Sequence, residues 1–410
     1  MARSLGLAAY RALSRRGDVL QQTPQEPRPK GELVWVHAGE ADNLLAVQDL
    51  AMRLSANRQN LNVLITVPEQ SNTAPLPPAR PDPALSQVAA PGEHPAAVAA
   101  FLDHWSPDAC VWVWGGLRPN LLLETAERKC PMFLVDADAR GFDGRRDRWL
   151  PDLTRQMLSK FSAVFARSSA SFKRLVQLGL PSDGIEQTSP LLAGGQVLSC
   201  ADSDLDELST ALGGRPTWFA TGVTDKEIPI VLAAHKQALR LSHRLLLILQ
   251  PQRQDKTEEI VSLAGARNLP LARWDDGQFP DDITQLMISS NPADRGLFFR
   301  VAPVSFLGGT LIHARGSCDP LEAAALGSAI LYGPKVRHFM PSYSRLAAAG
   351  AARIVNDANA LGTAVSRLVA PDQAAAMAHA GWDIISEGAE LTDKVIDLVQ
   401  DALDIKLSRP

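Results

Sequence analysis

From residue 32 onward, short apolar runs alternate with longer stretches whose apolar positions recur at helical spacing. Residues 33–36 (Leu-Val-Trp-Val) predict a buried strand, 44–54 a helix and 61–67 a second strand. Residues 71–95 are rich in Pro and Ala and predict an irregular insertion. The pattern then resumes, with helix at 97–104, strand at 109–114, helix at 119–129 and strand at 132–136. Helix at 153–161, strand at 162–166 and helix at 169–178 follow. Strands alternating with helices predict a parallel, doubly wound α/β sheet.

Residues 190–206, with Gly-Gly and scattered Asp, break the rhythm as a linker would. It restarts with strand at 217–221, helix at 227–240, strand at 244–249 and helix at 256–266. An apolar run at 304–307, an exit strand at 330–332 and a last helix near 390–405 complete the pattern. The expected fold class is therefore α/β, with two Rossmann-like domains over 31–192 and 205–410. Two such halves would face a cleft and bind ligands at the C-terminal ends of their strands.

One segment carries chemistry. The run 304–307 ends in Gly308-Gly309-Thr310, and Asp319-Pro320 opens a helix with Glu322 in its first turn. Pro suits the first helical position and Asp the cap before it. A strand, a glycine turn and a helix start together predict a site for an anion or a sugar hydroxyl.

At 410 residues the chain has room for two domains of ordinary size, and a net charge of -4 gives no reason to expect nucleic-acid binding. Its four cysteines lie far apart, with no CxxC or Cys/His cluster, so neither a metal nor another cofactor is expected. No apolar run of membrane-spanning length occurs. Residues 1–16 hold four arginines and no acid among Leu5, Leu7, Tyr10 and Leu13. They predict an amphipathic helix on an anionic membrane surface, or else a frayed first helix. Residues 140–174 hold nine basic and three acidic side chains, a local +6. That excess suits an anionic acceptor, though a charge run is also what a solvated helix face looks like.

Taken in order, seven segments resemble the bacterial 3-deoxy-D-manno-octulosonic acid (Kdo) transferases. They are residues 7–13, Val34-Trp35-Val36-His37-Ala38, Leu117-Arg118-Pro119-Asn120-Leu121 and Asp136-Ala137-Asp138-Ala139-Arg140 in the first half. In the second half they are Trp218-Phe219-Ala220-Thr221-Gly222, residues 245–251, and the Gly-Gly-Thr with Asp-Pro-Leu-Glu-Ala-Ala-Ala. The family moves Kdo from CMP-Kdo onto a lipid A precursor with a two-domain GT-B fold. The resemblance implies a membrane-associating segment at 1–30, an acceptor domain at 31–192 and a donor domain at 205–410 with the last helix. It also implies a peripheral place on the cytoplasmic face of the inner membrane.

An inverting transfer needs a base for the acceptor hydroxyl and cations or dipoles for the leaving phosphate, and no metal where the protein supplies those charges. The family's base position falls at Asn43 without a gap and at Glu40 with a two-residue deletion, and only the carboxylate can accept a proton at neutral pH. Glu40 is thus the expected catalytic residue, although a solvated loop carboxylate would look the same in sequence. Donor contacts are expected from Gly308, Gly309, Thr310, Asp319, Glu322, Arg253, Thr221 and Gly222. Acceptor contacts are expected from His37, Asn43, Arg118, Asn120, Arg140, Arg145 and Arg146.

The chain also departs from the family. Glu-Thr-Glu is replaced by Trp114-Gly115-Gly116, a lysine by Leu192, Pro-Arg-His by Pro251-Gln252-Arg253 and Gly-His-Asn by Ser317-Cys318-Asp319. Two alternatives therefore stand beside transfer of Kdo. One is a catalytically impaired paralogue that binds a lipid, nucleotide or partner; the other is a transferase using another nucleotide sugar.

Overall fold

Fourteen strands, all parallel to their neighbours, are sorted into two seven-stranded sheets by the computed structural model, which describes residues 10–12, 14–15, 26–40, 43–67, 83–144, 151–194, 197–313 and 318–408. The first sheet holds β1 (Glu32–Ala38), β2 (Leu61–Val67), β3 (Leu85–Ala89), β4 (Ala109–Val113), β5 (Met132–Ala137), β6 (Ala163–Ala166) and β7 (Ile185–Gln187). Their order is β3-β2-β1-β4-β5-β6-β7, so the chain reverses its winding between β1 and β4. The second sheet holds β8 (Thr217–Val223), β9 (Leu246–Pro251), β10 (Leu271–Arg273), β11 (Leu286–Ile288), β12 (Val304–Leu307), β13 (Ala329–Tyr332) and β14 (Ala352–Ile354). Its order is β10-β11-β9-β8-β12-β13-β14, with the reversal between β8 and β12. In each Rossmann-like unit the reversal opens a crevice at the strands' C-terminal ends, where ligands bind in such sheets.

Helices cover both faces, which is why the central strands are buried along nearly their whole length. In the first unit Trp35 packs edge-on to Trp112, ring centres 5.9 Å apart, among Leu64, Phe101 and Leu121. In the second, Trp218, Leu247 and Phe306 share one core with Ile228, Val231 and Leu361.

Each crevice has one glycine where the two reversing strands part. A Cβ on Gly39, just after β1, would stand 2.7 Å from the Val113 carbonyl at the end of β4. A Cβ on Gly308, just after β12, would stand 2.7 Å from the Val223 backbone at the end of β8. No other residue fits either place without moving the neighbouring strand.

Three differences from the sequence expectation bear on the layout. The insertion at 71–95 contains the edge strand β3, paired in register from Val63 opposite Leu85 to Val67 opposite Ala89. The expected linker at 190–206 already enters a helix at Asp202–Leu212. The last helix, Ala389–Leu407, belongs to the first unit and not with the domain before it. Residues up to 193 and from 387 form one unit, and 194–386 the other. The apolar stripe Leu391, Val395, Val399 and Leu403 is buried, and the helix packs on Leu44–Asn57. Arg58 ties the arrangement together, donating to Glu32 at 2.6 Å and to Asp404 at 2.8 Å.

Candidate functional site

At the reversal of the second unit the glycine loop is held from beneath by a carboxylate. Glu227 is fully buried at the end of the loop after β8. Its Oε2 accepts the Gly309 N–H at 2.6 Å and its Oε1 the Leu311 N–H at 2.8 Å. Oε2 also accepts the Thr224 N–H at 3.0 Å and the Thr224 hydroxyl at 2.8 Å. The two loops that flank the crevice are therefore joined by one side chain. Sequence reasoning missed Glu227, whose position reads only as the start of a helix.

The polar groups of the expected donor residues in this loop have partners within the protein. The Gly308 N–H donates to the Thr221 carbonyl at 2.8 Å, and the Gly309 N–H is the one held by Glu227. Thr310 is buried, donating to the Leu307 carbonyl at 2.6 Å and accepting from the Gly333 N–H at 2.8 Å. These bonds fix the shape of the loop. Thr221 is likewise fully buried, its hydroxyl donating to Gln250 at 2.8 Å. Gly222 has φ +64°, a conformation that favours glycine.

Farther along the same rim, Asp319 caps the short helix Pro320–Ala325 by accepting the Leu321 N–H at 3.0 Å, as its sequence position predicts. The helix has six residues, and its cap is an internal carboxylate, so its N-terminus is no anion site. Glu322 stands 3.6 Å from Arg295, whose guanidinium also donates to the Cys318 sulfur at 3.2 Å. Arg295, from helix Arg295–Val301, is a largely buried cation at the expected donor helix. It too was missed, because nothing in its local pattern marks it. Arg253 is a surface residue paired with Asp255 at 2.6 Å.

In the first unit His37 is buried beneath the β1 end. Its Nδ1 lies 2.8 Å from the Thr66 hydroxyl, and its ring lies 4.0 Å from that of Trp112. Burial, aided by the nearby Arg118, pushes its pKa down to about 3, so it is a neutral core residue and not an acceptor contact. Glu40, two residues beyond β1, is exposed and close enough to Arg140 to raise its pKa, after the larger effect of Asp138. Asn43 precedes the helix Leu44–Asn57 without a side-chain cap bond, and its buried amide nitrogen has no partner among the described residues.

Arg118 and Asn120 converge on Glu93, another residue that sequence reasoning missed. Arg118 lies 3.6 Å from its carboxylate, and the Asn120 N–H donates to it at 2.9 Å. The Tyr10 hydroxyl donates to the same group at 3.2 Å, while the Asn120 amide reaches Ser14 at 2.9 Å. Arg11 lies 3.6 Å from Glu127. The described part of the N-terminal segment thus docks on the first unit. No described helix is long and apolar enough to cross a membrane.

Three cations of the basic stretch are paired with acids. Arg140 pairs with Asp138 at 2.7 Å, Arg167 with Asp136 and Asp138, and Arg174 with Asp143 at 3.3 Å. Burial would raise the Asp138 pKa, but hydrogen bonds from Arg140 and Arg167 bring it down to about 2. Arg145 and Arg146 lie outside the described residues. Two strained residues close the ends of β4 and β5: Trp114 at φ +75° and Asp136 at φ +58°. Such backbone costs about 1–3 kcal/mol each and collects at functional sites.

Comparison with known proteins agrees with this layout. A family model described as 3-deoxy-D-manno-octulosonic-acid transferase (kdotransferase) matches residues 11–191. The 3-deoxy-D-manno-octulosonic acid transferase of Haemophilus influenzae is 22% identical over 92% of this chain and 88% of its own length. The protein of that name from Bordetella pertussis is 26% identical over 92% of this chain and 89% of its own. A probable mitochondrial 3-deoxy-D-manno-octulosonic acid transferase from Arabidopsis thaliana is 24% identical over 77% of this chain. With two Rossmann-like units and relatives spanning both, the chain is similar along most of its length to the 3-deoxy-D-manno-octulosonic acid transferases, as a divergent relative.

Proposed function

We propose that this chain transfers Kdo from CMP-Kdo to an anionic lipid A precursor, as a peripheral protein on the cytoplasmic face of the inner membrane. The observation that carries the reading is Glu40. It is an exposed carboxylate at the C-terminal end of β1, beside the first unit's reversal, in a chain whose relatives over 92% of its length are named Kdo transferases. Glu40 takes the proton of the acceptor hydroxyl as that oxygen bonds to the anomeric carbon of Kdo. The bond from that carbon to the phosphate oxygen breaks, and CMP leaves with the electron pair. Cations of the second unit stabilise the departing phosphate. Glu322, beside Arg295, accepts hydroxyls of the donor ribose. The N-terminal segment, with its four arginines, supplies the attraction to anionic lipid.

The test is transfer from CMP-Kdo, generated in situ, to a tetraacylated lipid A precursor. Wild type is run beside Glu40→Gln and Asn43→Ala, with an unaltered family member as positive control. Product from wild type and from Asn43→Ala, abolished in Glu40→Gln, is the expected result. A folded wild type that forms no product while the control does would overturn the proposal in favour of a binding role or another donor.

A further inference from the structure

A lysine and a histidine meet at the second unit's crevice without serving any role described above. Lys226 lies in the loop after β8 and His313 in the loop after β12, both exposed, with Nζ 3.4 Å from the imidazole Nε2. The acids on either side of Lys226 are engaged elsewhere. Asp225 pairs with Lys256 at 3.3 Å, and both Glu227 oxygens hold backbone N–H groups.

The meeting follows from the buried carboxylate. Glu227 directly follows Lys226 in sequence, and it binds Leu311, two residues before His313. One interior side chain therefore fixes both loops and sets the two nitrogens together at the surface. Side by side, an ammonium and an imidazole gain most from a doubly charged oxyanion placed between them, since each can then donate to it. The location is the C-terminal edge of the sheet where its winding reverses, which is where phosphates of nucleotides sit in such folds.

We propose that Lys226 and His313 form the clamp for the phosphate of the nucleotide donor. This rests on the reading of the second unit as the donor-binding one. The clamp replaces Arg253, which is held by Asp255 at the surface.

The test is a ligand-observed NMR titration of the full chain with CMP and with cytidine, repeated with UMP, AMP and GMP. Lys226→Ala and His313→Ala are each expected to weaken CMP binding by about tenfold and to leave cytidine binding unchanged. Lys226→Arg is expected to retain most of the affinity. Both positions are exposed, so circular dichroism should show folded variants. Equal CMP affinity in wild type and both alanine variants would overturn the clamp and leave the CMP-donor reading standing. Binding of another nucleotide instead of CMP, with the same dependence on Lys226 and His313, would keep the clamp and overturn that reading. A folded wild type that binds no nucleotide would overturn both.

Discussion

Glu227 accepts the Gly309 N–H at 2.6 Å across 82 positions of sequence, and this bond fixes the shape of the glycine loop. A buried N–H that loses its acceptor costs about 1–3 kcal/mol. Glu227→Ala strands the N–H groups of Gly309, Leu311 and Thr224, so it should destabilise the second unit by about 3–5 kcal/mol. Glu227→Gln keeps one acceptor oxygen and should lose less. Chemical denaturation measures both. An alanine variant within about 0.5 kcal/mol of wild type would mean that water replaces the carboxylate.

A second prediction concerns Asp136, which is buried and bonded to Arg167 at 2.9 Å and to the Leu191 N–H at 3.1 Å. Burial raises its pKa against the pull of Arg167. Asp136→Asn tolerates the same positive φ but leaves Arg167 with Asp138 as its remaining counter-charge and its buried contact at 136 uncharged. The expected loss is about 3–5 kcal/mol, the usual result of breaking a buried ion pair from one side. Replacing both residues, as Asp136→Asn with Arg167→Gln, should recover part of it. A double variant no more stable than the single one would show that the pair is not coupled.

Two buried histidines predict acid sensitivity. Burial lowers the pKa of His37 and of His235 from an ordinary 6.5 to about 3. His235 Nδ1 accepts the Trp218 N–H at 3.1 Å, and its Nε2 lies 2.8 Å from the Gln285 carbonyl, so the ring has no place for a second proton. A folded pKa below the unfolded one gives stability that is present above pH 6.5 and lost as pH falls toward 3. Each ring should contribute a slope of up to about 1.4 kcal/mol per pH unit in that window. Unfolding free energies at pH 7, 6 and 5 should therefore fall more gently in His235→Asn than in wild type. Parallel lines would show that the ring is already charged when folded.

Truncation gives a fourth prediction. A chain ending at residue 388 would uncover the apolar surface now under Leu391, Val395, Val399 and Leu403, and should aggregate. Asp404→Ala, by contrast, removes the more exposed partner of Arg58 and should cost less than about 1 kcal/mol. Solubility of the truncated chain decides the first point, and thermal unfolding of Asp404→Ala the second. A soluble, folded truncation would mean that the first unit does not need its last helix.

The sequence shows long buried strands more clearly than short or edge ones. Residues 61–67 read as the strand they form, because seven residues are almost all apolar. The edge strand Leu85–Ala89 is half-exposed and follows a Pro-rich tract, so its composition looks like loop. The three-residue strands at 271–273 and 286–288 are too short to show a period. In the site, Gly308 marks the crevice by its missing side chain, which sequence displays directly. The assumption that free N–H groups come with such glycines failed. The acceptor of the Gly309 N–H, Glu227, is a tertiary neighbour with no local signal, and the same holds for Arg295 beside Glu322 and Glu93 beside Asn120. His37 has the sequence look of a ligand-binding residue, and only its burial shows otherwise.

The return of helix Ala389–Leu407 to the first unit has a consequence for synthesis. Domains emerging from a ribosome usually close in the order they are made. Here the unit begun first cannot seal its core until the whole of the other has been translated. The intervening unit has all its strands in hand earlier and can finish ahead of it. During that interval the face that awaits the final helix is bare, and a nascent-chain chaperone would find its binding surface there.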